Sequence, residues 1–306
     1  MLRGSFEGTA SLSTKAGTGC AEPAAPTATV LTLGDKTYDI STRALVMGIL
    51  NRTPDSFYDH GATYELDALV ERAAQLVRDG ADILDVGGVK AGPGPLVSQD
   101  EELDRVVPAI EALSSRFDLP LSVDTWRASV ARECYGAGAV VGNDISGFQD
   151  PEYLATAADA GASVVATHIR LAPRVRDPEP RYDDVVVTVR DSLGALGRSA
   201  LDAGLTPDRV IVDAGLDLGK TAEQSLELLR ATDRLSSLGY PLLLSASNKT
   251  FLGATLDLQI DERTEASLAA AAMGASLGAR ILRVHDVAST RMVRDSICAV
   301  LGARPE

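Results

Sequence analysis

Short apolar runs alternate with longer amphipathic stretches from residue 44 to the end of the chain. Near-continuous runs of Val, Ile and Leu are typical of strands that are covered on both faces, as in parallel sheets. Eight such runs predict strands at residues 45–50, 83–86, 121–123, 140–145, 164–166, 210–212, 242–244 and 281–284. The chain therefore has the strand content of a large α/β domain.

The stretches between these runs have helical periodicity. Residues 66–80, for example, place Leu66, Leu69, Ala73 and Val77 on one stripe. Helices are predicted at 66–80, 129–138, 155–161, 185–204, 222–239, 263–278 and 290–301, and most end at a glycine, which suits a helix C-cap. The alternation predicts a (β/α)8 TIM barrel. A doubly wound open sheet is the alternative, since periodicity does not separate the two.

The first 43 residues have a different pattern. Residues 1–27 are rich in Ser, Thr, Gly, Ala and Pro, which predicts a disordered tail. Apolar and polar positions then alternate over residues 30–33 and 37–40, on either side of a turn that contains Gly34. This pattern predicts a β-hairpin. Residues 28–306 are predicted to form a single domain.

Composition limits the classes of function. The 306 residues carry 29 Lys and Arg against 43 Asp and Glu, a formal net charge of −14. This argues against nucleic acid or an anionic membrane surface as a partner. The three cysteines form no CxxC pair, so a disulfide framework and a cysteine zinc site are not expected. With no signal-like or membrane-spanning segment found, we expect a cytoplasmic protein with reduced thiols.

Polar residues follow nearly all of the predicted strands. In a barrel, these strand ends meet on the face that carries active sites. A single Asp there is usually an N-cap, but a set of buried charges needs partners or ligands. The candidate residues are Asn51, Asp85, Asp124, Asn143, Asp213, Lys249, Arg283 and His285.

This set divides into two kinds of chemistry. Asp85, Asp124, Asn143 and Asp213 offer acceptors that suit the N–H groups of a neutral heterocycle. Lys249, Arg283 and His285 bring positive charge after the last two strands, where barrels commonly bind phosphate. Asn51 offers an oxygen ligand for a magnesium ion carried by such phosphates.

The strand-end motifs resemble those of the dihydropteroate synthase family over residues 30–302. They are Met47-Gly48-Ile49-Leu50-Asn51 with Thr53-Pro54-Asp55-Ser56-Phe57, Asp85-Val86-Gly87-Gly88, Ser122-Val123-Asp124-Thr125, Asn143-Asp144-Ile145-Ser146, Asp213 with Gly219-Lys220-Thr221, Ser247 with Lys249, and Arg283-Val284-His285-Asp286-Val287. Several ordered motifs at matching strand ends make this resemblance specific.

The resemblance implies a homodimeric TIM barrel that joins 6-hydroxymethyl-7,8-dihydropterin diphosphate to p-aminobenzoate. The products are dihydropteroate, for folate synthesis, and pyrophosphate. By resemblance, the residues at Asp124, Asn143, Asp213 and Lys249 hold the pterin, and those at Arg283, His285 and Asn51 serve the diphosphate and its Mg²⁺. Lys249, Arg283 and Asn51 are thus the expected catalytic residues.

Several positions depart from the family pattern. Where the family reads Gly-Gly-Glu-Ser-Thr-Arg-Pro-Gly, this chain has Gly87-Gly88-Val89-Lys90-Ala91-Gly92-Pro93-Gly94. Further departures are Arg52, Tyr58-Asp59-His60-Gly61, Thr167-His168-Ile169, Ala214, Leu218 and Asn248. This pattern resembles the divergent second paralogue of some actinobacteria. We therefore expect weak or absent synthase activity; the alternatives are a non-catalytic pterin-binding or regulatory protein, or another pterin-dependent transferase.

Three other signals are interpreted as structural. The glycine spacing of residues 215–221 is one residue too short for a phosphate-binding P-loop. His168 is expected to be a hydrogen-bonded strand-end residue rather than a ligand. Trp126 is expected to pack rather than to stack on a ligand.

Overall fold

Eight parallel strands close into a barrel in the computed structural model, which describes residues 28–53 and 65–302. The barrel strands are β3 (Leu45–Asn51), β4 (Ile83–Gly87), β5 (Leu121–Asp124), β6 (Val141–Asp144), β7 (Ser163–Thr167), β8 (Val210–Asp213), β9 (Leu242–Leu244) and β10 (Ile281–Val284). Their order around the barrel is β10-β3-β4-β5-β6-β7-β8-β9. The predicted (β/α)8 barrel is confirmed, and the open-sheet alternative is wrong.

Helices surround the barrel and lie between successive strands. They are α1 (Leu66–Asp79), α2 (Gln99–Ser114), α3 (Ala128–Ala137), α4 (Tyr153–Asp159), α5 (Val185–Asp202), α6 (Ala222–Arg230), α7 (Thr232–Ser236), α8 (Thr250–Leu256), α9 (Thr264–Ser276) and α10 (Val287–Val300). The predicted 222–239 helix is two helices, since the chain leaves helical geometry at Ala231.

Helix α2 was not predicted, because its first turn carries three acidic residues and its middle contains Pro108. These features hide the apolar stripe that packs against the barrel. The acidic first turn suits a helix N-terminus, where the peptide dipoles favour negative charge. Ser98 caps this end by accepting a hydrogen bond from the Glu101 backbone N–H.

A two-stranded hairpin precedes the barrel, as the alternating pattern predicts. Strands β1 (Val30–Leu33) and β2 (Lys36–Asp39) pair antiparallel around Gly34, whose φ of +64° is readily adopted by glycine. Its residues Leu31, Leu33 and Ile40 are fully buried. They pack against side chains at the start of the barrel strands: Leu45, Ile83, Val141 and Ile281. The hairpin therefore covers the amino-terminal end of the barrel, opposite the polar strand ends.

Two sequence-based expectations can be compared with the described part of the chain. Cys134 and Cys298 are buried free thiols there, as expected. No helix among the described residues is long and apolar enough to cross a membrane. The predicted disordered tail at residues 1–27 lies outside the described residues, as do Cys20 and the departures at residues 58–61.

Candidate functional site

The strand ends bring the predicted acceptors to one end of the barrel. Asp124 of β5 pairs with Asn143 of β6, while Asp213 of β8 lies opposite Thr167 of β7. Asp85 lies two residues before the end of β4, and it is fully buried. Strand geometry therefore places carboxylates at two depths below the mouth of the barrel.

Arg283 lies between two of these carboxylates. Its guanidinium donates to Asp85 Oδ2 at 2.6 Å and to Asp124 Oδ2 at 2.8 Å. The Asn143 amide donates to Asp85 Oδ2 at 3.3 Å. We call these four residues, Asp85, Asp124, Asn143 and Arg283, the floor. The sequence analysis had treated the acceptors and the cations as separate groups, but the structure interleaves them.

The floor holds an uneven balance of charge. Burial raises the pKa of Asp124 to about 7, and the neighbouring Asp85 carboxylate adds to this, although Arg283 opposes it. The pKa of Arg283 is raised despite its burial, because Asp85 and Asp124 both favour its charged form. One cation thus faces two carboxylates, and Asp124 is poised to gain or lose a proton near neutral pH.

Asp213 and Lys249 lie beside the loop that follows β8. Asp213 Oδ1 accepts from the Gly215 backbone N–H at 2.8 Å, and Lys249 Nζ donates to the Leu216 carbonyl at 2.7 Å. Burial lowers the pKa of Lys249, whereas Asp213 and Asp217 oppose that change. An acceptor and a donor are thus placed along this side of the barrel mouth.

His285 and Asn51 occupy two further strand ends. The Ser247 hydroxyl lies 3.0 Å from His285 Nδ1 and accepts from the His285 backbone N–H at 3.2 Å, so Ser247 orients the imidazole. Asn51 ends β3 opposite Gly87. A Cβ at Gly87 would lie 3.5 Å from Asn51 Oδ1 and 3.6 Å from the Cβ of Asp124. Asn51 therefore lies close to the floor.

Lys220 has a structural role that the sequence analysis missed. Its buried ammonium donates to the carbonyls of Gly215 at 2.8 Å, Leu218 at 3.0 Å and His168 at 3.3 Å. Burial lowers its pKa to about 7. This ammonium therefore joins two carbonyls of the β8 loop to the His168 carbonyl that follows β7, and so holds the β8 loop in place. The geometry agrees with the rejection of a P-loop.

His168 does not have the hydrogen bonds expected of it. Its backbone N–H donates to the Asp213 carbonyl at 2.9 Å, but its buried Nδ1 has no hydrogen-bond partner among the described residues. Burial lowers the pKa of this imidazole to about 3, so it is neutral at physiological pH. The expectation of a fully hydrogen-bonded side chain was wrong.

Glu102 of α2 is a second buried residue that sequence reasoning missed. Its carboxylate accepts from Thr125 Oγ1 at 2.6 Å and pairs with Arg127, which also donates to the Val97 carbonyl at 2.8 Å. This network braces the chain beside Asp124. It could not be found without α2, because Glu102 lies in the acidic first turn of that helix.

The loop after β4 is held by Arg174, from the loop after β7. Arg174 donates through its side chain to the carbonyls of Lys90 at 3.0 Å and Pro95 at 2.5 Å. Its backbone N–H donates to the Ala91 carbonyl at 3.1 Å. All of these acceptors are backbone atoms; Lys90 and Ala91 lie in the segment that departs from the family pattern, and Pro95 follows that segment directly.

Asn248, one of the departures from the family pattern, suits the backbone conformation at its position. Its φ is +58°, in the left-handed region that Asn and Asp enter more readily than most residues. The Asn248 backbone N–H donates to Ser267 Oγ at 3.0 Å, and its carbonyl accepts from Arg263 at 3.0 Å. Helix α9 and the residue before it thus fix the chain next to Lys249.

Comparisons with known proteins agree with this arrangement. Residues 47–285 match the model of the family described as pterin binding enzyme. A protein named inactive dihydropteroate synthase 2, from Mycobacterium leprae, is 46% identical over 269 residues, covering 86% of this chain and 92% of that protein. The chain belongs to the dihydropteroate synthase family.

Two further members place the chain within that family. The dihydropteroate synthase of a Synechocystis species is 42% identical over 261 residues, covering 84% of this chain and 90% of the relative. The dihydropteroate synthase of Yersinia pestis, solved in complex with a sulfonamide drug, superposes with a TM-score of 0.86. It is 38% identical and covers 90% of this chain and all of its own. Members named as synthases and members named as inactive are thus both similar to this chain.

Proposed function

We propose that this dihydropteroate synthase family member binds a 6-hydroxymethyl-7,8-dihydropterin diphosphate, and that it transfers the pterin to p-aminobenzoate weakly or not at all. The floor is the observation that carries the binding half of the proposal. Arg283 orients the floor's two carboxylates, and Asp85 in turn accepts from the Asn143 amide, before any ligand arrives. Preorganised acceptors of this kind suit a flat heterocycle with several N–H donors.

Asp213 and Lys249 extend the proposed pterin pocket. Asp213 has one carboxylate oxygen on the Gly215 N–H, so its other oxygen can accept from a pterin N–H. Lys249 has one hydrogen bond to Leu216, and an ammonium has three donors, so it can also donate to a ring nitrogen or carbonyl. Together with the floor, these two residues supply polar partners for both edges of the heterocycle.

The diphosphate is assigned to Arg283, His285 and Asn51. Arg283 donates two hydrogen bonds to the floor carboxylates. Because a guanidinium has five N–H groups, donors remain for a phosphate oxygen. Fixed positive charge near the leaving pyrophosphate would stabilise the charge that develops on it. Of the chain's own residues, Lys249 and Arg283 would contribute most to this effect.

The donor set fits a magnesium ion that arrives with the diphosphate. Among the described residues, no group of three His, Cys, Asp or Glu side chains could hold a metal ion by itself. Magnesium commonly takes one or two protein oxygens and completes its shell with phosphates and water. Asn51 supplies one such oxygen near the floor. When bound, the ion would neutralise charge on the pyrophosphate.

The acceptor half of the site supports reduced synthase activity. Lys90-Ala91-Gly92 replaces the hydroxyls and the guanidinium of the family's Ser-Thr-Arg. The substituted loop is held to Arg174 through backbone carbonyls. A relative whose alignment covers 86% of this chain and 92% of its own length carries the name inactive dihydropteroate synthase 2. A non-catalytic pterin-binding role is the second candidate function, favoured by the same loop.

Calorimetric titration tests both halves of the proposal in one cell. The ligand is 6-hydroxymethyl-7,8-dihydropterin diphosphate with Mg²⁺, followed by p-aminobenzoate, with pyrophosphate measured at the end. Micromolar pterin binding with little pyrophosphate is the expected result. Rapid pyrophosphate release would overturn the proposed loss of synthase activity. An absence of pterin binding would overturn the assignment of the floor.

Two sets of variants sharpen this test. Asp213→Ala should abolish pterin binding because buried N–H donors lose their acceptor. Asp213→Asn keeps an oxygen for the Gly215 N–H but turns a donor towards the ligand, so it should also lose binding while the loop keeps its hydrogen bond. Lys90→Ser, Ala91→Thr and Gly92→Arg together restore the family loop. A side chain at Gly92 meets nothing within 4 Å. A large gain in turnover would place the defect in this loop; no gain would extend it to the surroundings of Leu218 and Asn248.

We also propose that the chain forms a homodimer through its last two helices. Met273 of α9 is 39% exposed, Met292 of α10 is 65% exposed, and Val300 at the end of α10 is 85% exposed. Large apolar side chains at this exposure on adjacent helices suit a self-complementary interface. Analytical ultracentrifugation should show a dimer that Met292→Lys weakens. A monomer at micromolar concentration would contradict the proposal.

The cytoplasmic location expected from the sequence stays a prediction.

A further inference from the structure

Asp217 has an unusual backbone conformation in the loop after β8. Its φ is +70°, in the left-handed region where side chains other than glycine are uncommon. Residues in this region persist when surrounding contacts hold them, and they concentrate at functional sites. The Asp217 backbone N–H donates to Ser225 Oγ of α6 at 3.2 Å, which helps to fix this conformation. The side chain is thereby directed from a constrained backbone.

The Asp217 carboxylate binds the segment that carries Lys249. Asp217 Oδ2 accepts from the Thr250 backbone N–H at 2.6 Å, and both of its oxygens lie within 3.3 Å of the Phe251 backbone nitrogen. The preceding carbonyl, of Leu216, accepts from Lys249 Nζ at 2.7 Å. Two adjacent loop residues therefore hold the neighbouring segment: Leu216 accepts from the ammonium of Lys249, and Asp217 accepts from the backbone of the two residues that follow it.

The other side of this segment is fixed from α9. Asn248 is held there by Ser267 and Arg263, as described above. Lys249 therefore lies between Asn248, anchored to the α9 side, and Thr250, anchored to Asp217. Asp217 also acts on the ammonium through its charge, which together with that of Asp213 favours the protonated form of Lys249.

The charged groups around Lys249 come from several elements. Burial lowers the pKa of Lys249; Asp213 and Asp217 from β8 and its loop, and Asp124 from β5, oppose this, whereas Arg283 from β10 adds to it. Lys220 is a further cation of the same surroundings, since its own pKa is lowered by Lys249. Of these three acids, Asp124 belongs to the floor and Asp213 accepts from the Gly215 N–H, whereas Asp217 does neither.

We infer that Asp217 is a positioning residue for Lys249: it fixes the chain from which the Lys249 ammonium reaches the pterin pocket, and it does not touch the ligand. Its charge also favours the protonated form of that ammonium. The inference rests on the proposed function for its binding readout. Its first readout needs no ligand, however, because the ionisation of Lys249 is measured on the free protein.

The first experiment is NMR titration of the Lys249 side chain through its ¹³Cε shift, assigned with Lys249→Arg. Asp217→Asn removes the charge, keeps an oxygen for the Thr250 N–H and tolerates the left-handed backbone. The pKa of Lys249 should fall when this opposite charge is lost, because Asp217 opposes the lowering that burial causes. Asp257→Asn is the matched control, since Asp257 also has a positive φ, of 55°, at the far end of α8. An unchanged Lys249 pKa in Asp217→Asn would overturn the inference.

The second experiment is the affinity for 6-hydroxymethylpterin as a function of pH. Asp217→Asn should weaken binding about tenfold above the lowered pKa, with near wild-type affinity restored at lower pH. A purely structural role would give an affinity loss that is independent of pH, and it would contradict the inference. If the wild type binds no pterin, the proposed function fails, while the NMR titration still decides the role of Asp217.

Discussion

The floor and the two loops above it are held by different kinds of contact. In the floor, Arg283, Asp85, Asp124 and Asn143 contact one another through their side chains. In the loops after β4 and β8, a cation instead contacts backbone carbonyls. Arg174 serves the first of these loops, and Lys220 serves the second.

This difference explains which positions keep the family pattern. A side-chain network requires particular residue types, since a buried charge without its partner is costly. A cation that binds carbonyls requires only the main chain, which every residue supplies. Lys90, Ala91 and Gly92 can therefore replace the family residues while the loop stays in place. The chemistry of that loop changes, while Arg174 still holds its main chain.

The largest effect is expected when the floor loses its cation. Arg283→Met leaves Asp85 and Asp124 buried without a positive partner, which should cost about 3–5 kcal/mol of unfolding free energy in urea titrations. It should also weaken the diphosphate ligand more than the unphosphorylated pterin, and equal losses would assign Arg283 to the floor alone. Arg291→Met is the matched control, since Arg291 is half exposed and pairs with Asp295 on α10. A loss of unfolding free energy below about 1 kcal/mol is no more than a surface ion pair contributes. Such a result would contradict the view that the floor depends on its side-chain charges more than the loops do.

Loss of Lys220 should come next in size. Lys220→Ala leaves three carbonyls without their shared donor, but it also removes a buried charge, so we expect a loss of about 2–4 kcal/mol. Thermal and urea unfolding measure it, with the half-exposed Lys36→Ala as control. Because burial lowers the folded pKa to about 7 from 10.5, Lys220 should make the wild type less stable as the pH falls from 10.5 towards 7. Lys220→Ala should remove that slope, and its persistence would assign it to another group.

The floor should also give ligand binding a pH dependence. The carboxylate form of Asp124 accepts pterin N–H groups, and its pKa in the free protein is raised to about 7. Affinity should therefore rise about tenfold between pH 6 and pH 8, with proton release on binding, measured by calorimetry in buffers of different ionisation enthalpy. In the free protein the same raised pKa lowers stability as the pH rises from 3.8 to about 7. Asp124→Asn should flatten both curves; a slope that survives in this variant would contradict the assignment.

The smallest effect is expected at the β4 loop. Arg174→Ala should change the unfolding free energy by no more than about 1 kcal/mol, because loop contacts contribute little to global stability. It should instead speed amide hydrogen exchange in residues 88–95 and leave pterin affinity unchanged. The partly exposed Arg170→Ala, in the same β7 loop but paired with Asp177, is the control. Unaltered exchange would show that other contacts hold the loop.

The predictability of the site followed the same division. The four floor residues came from local rules, because residues that end parallel strands must meet at one face of a barrel. The neighbours of Arg283 could not be predicted, since which carboxylate a long side chain reaches depends on the barrel's closure. Helix α2 and its Glu102 were missed because charge and Pro108 masked the apolar stripe. Arg174 gave no signal at all, because its partners are backbone atoms more than 70 residues away.

The sequence by itself determined the alternation of strands and helices, the hairpin, the polar strand ends and the family motifs, because each depends on residue type at short spacing. The tertiary structure alone decided how the charges are shared. It placed Arg283 between two acids and bound the Lys220 ammonium to backbone carbonyls. It left His168 Nδ1 without a partner among the described residues, and it placed Asp217 in contact with the segment that follows Lys249. The physical reason is that pairing and burial depend on distances between elements that the chain brings together only on folding.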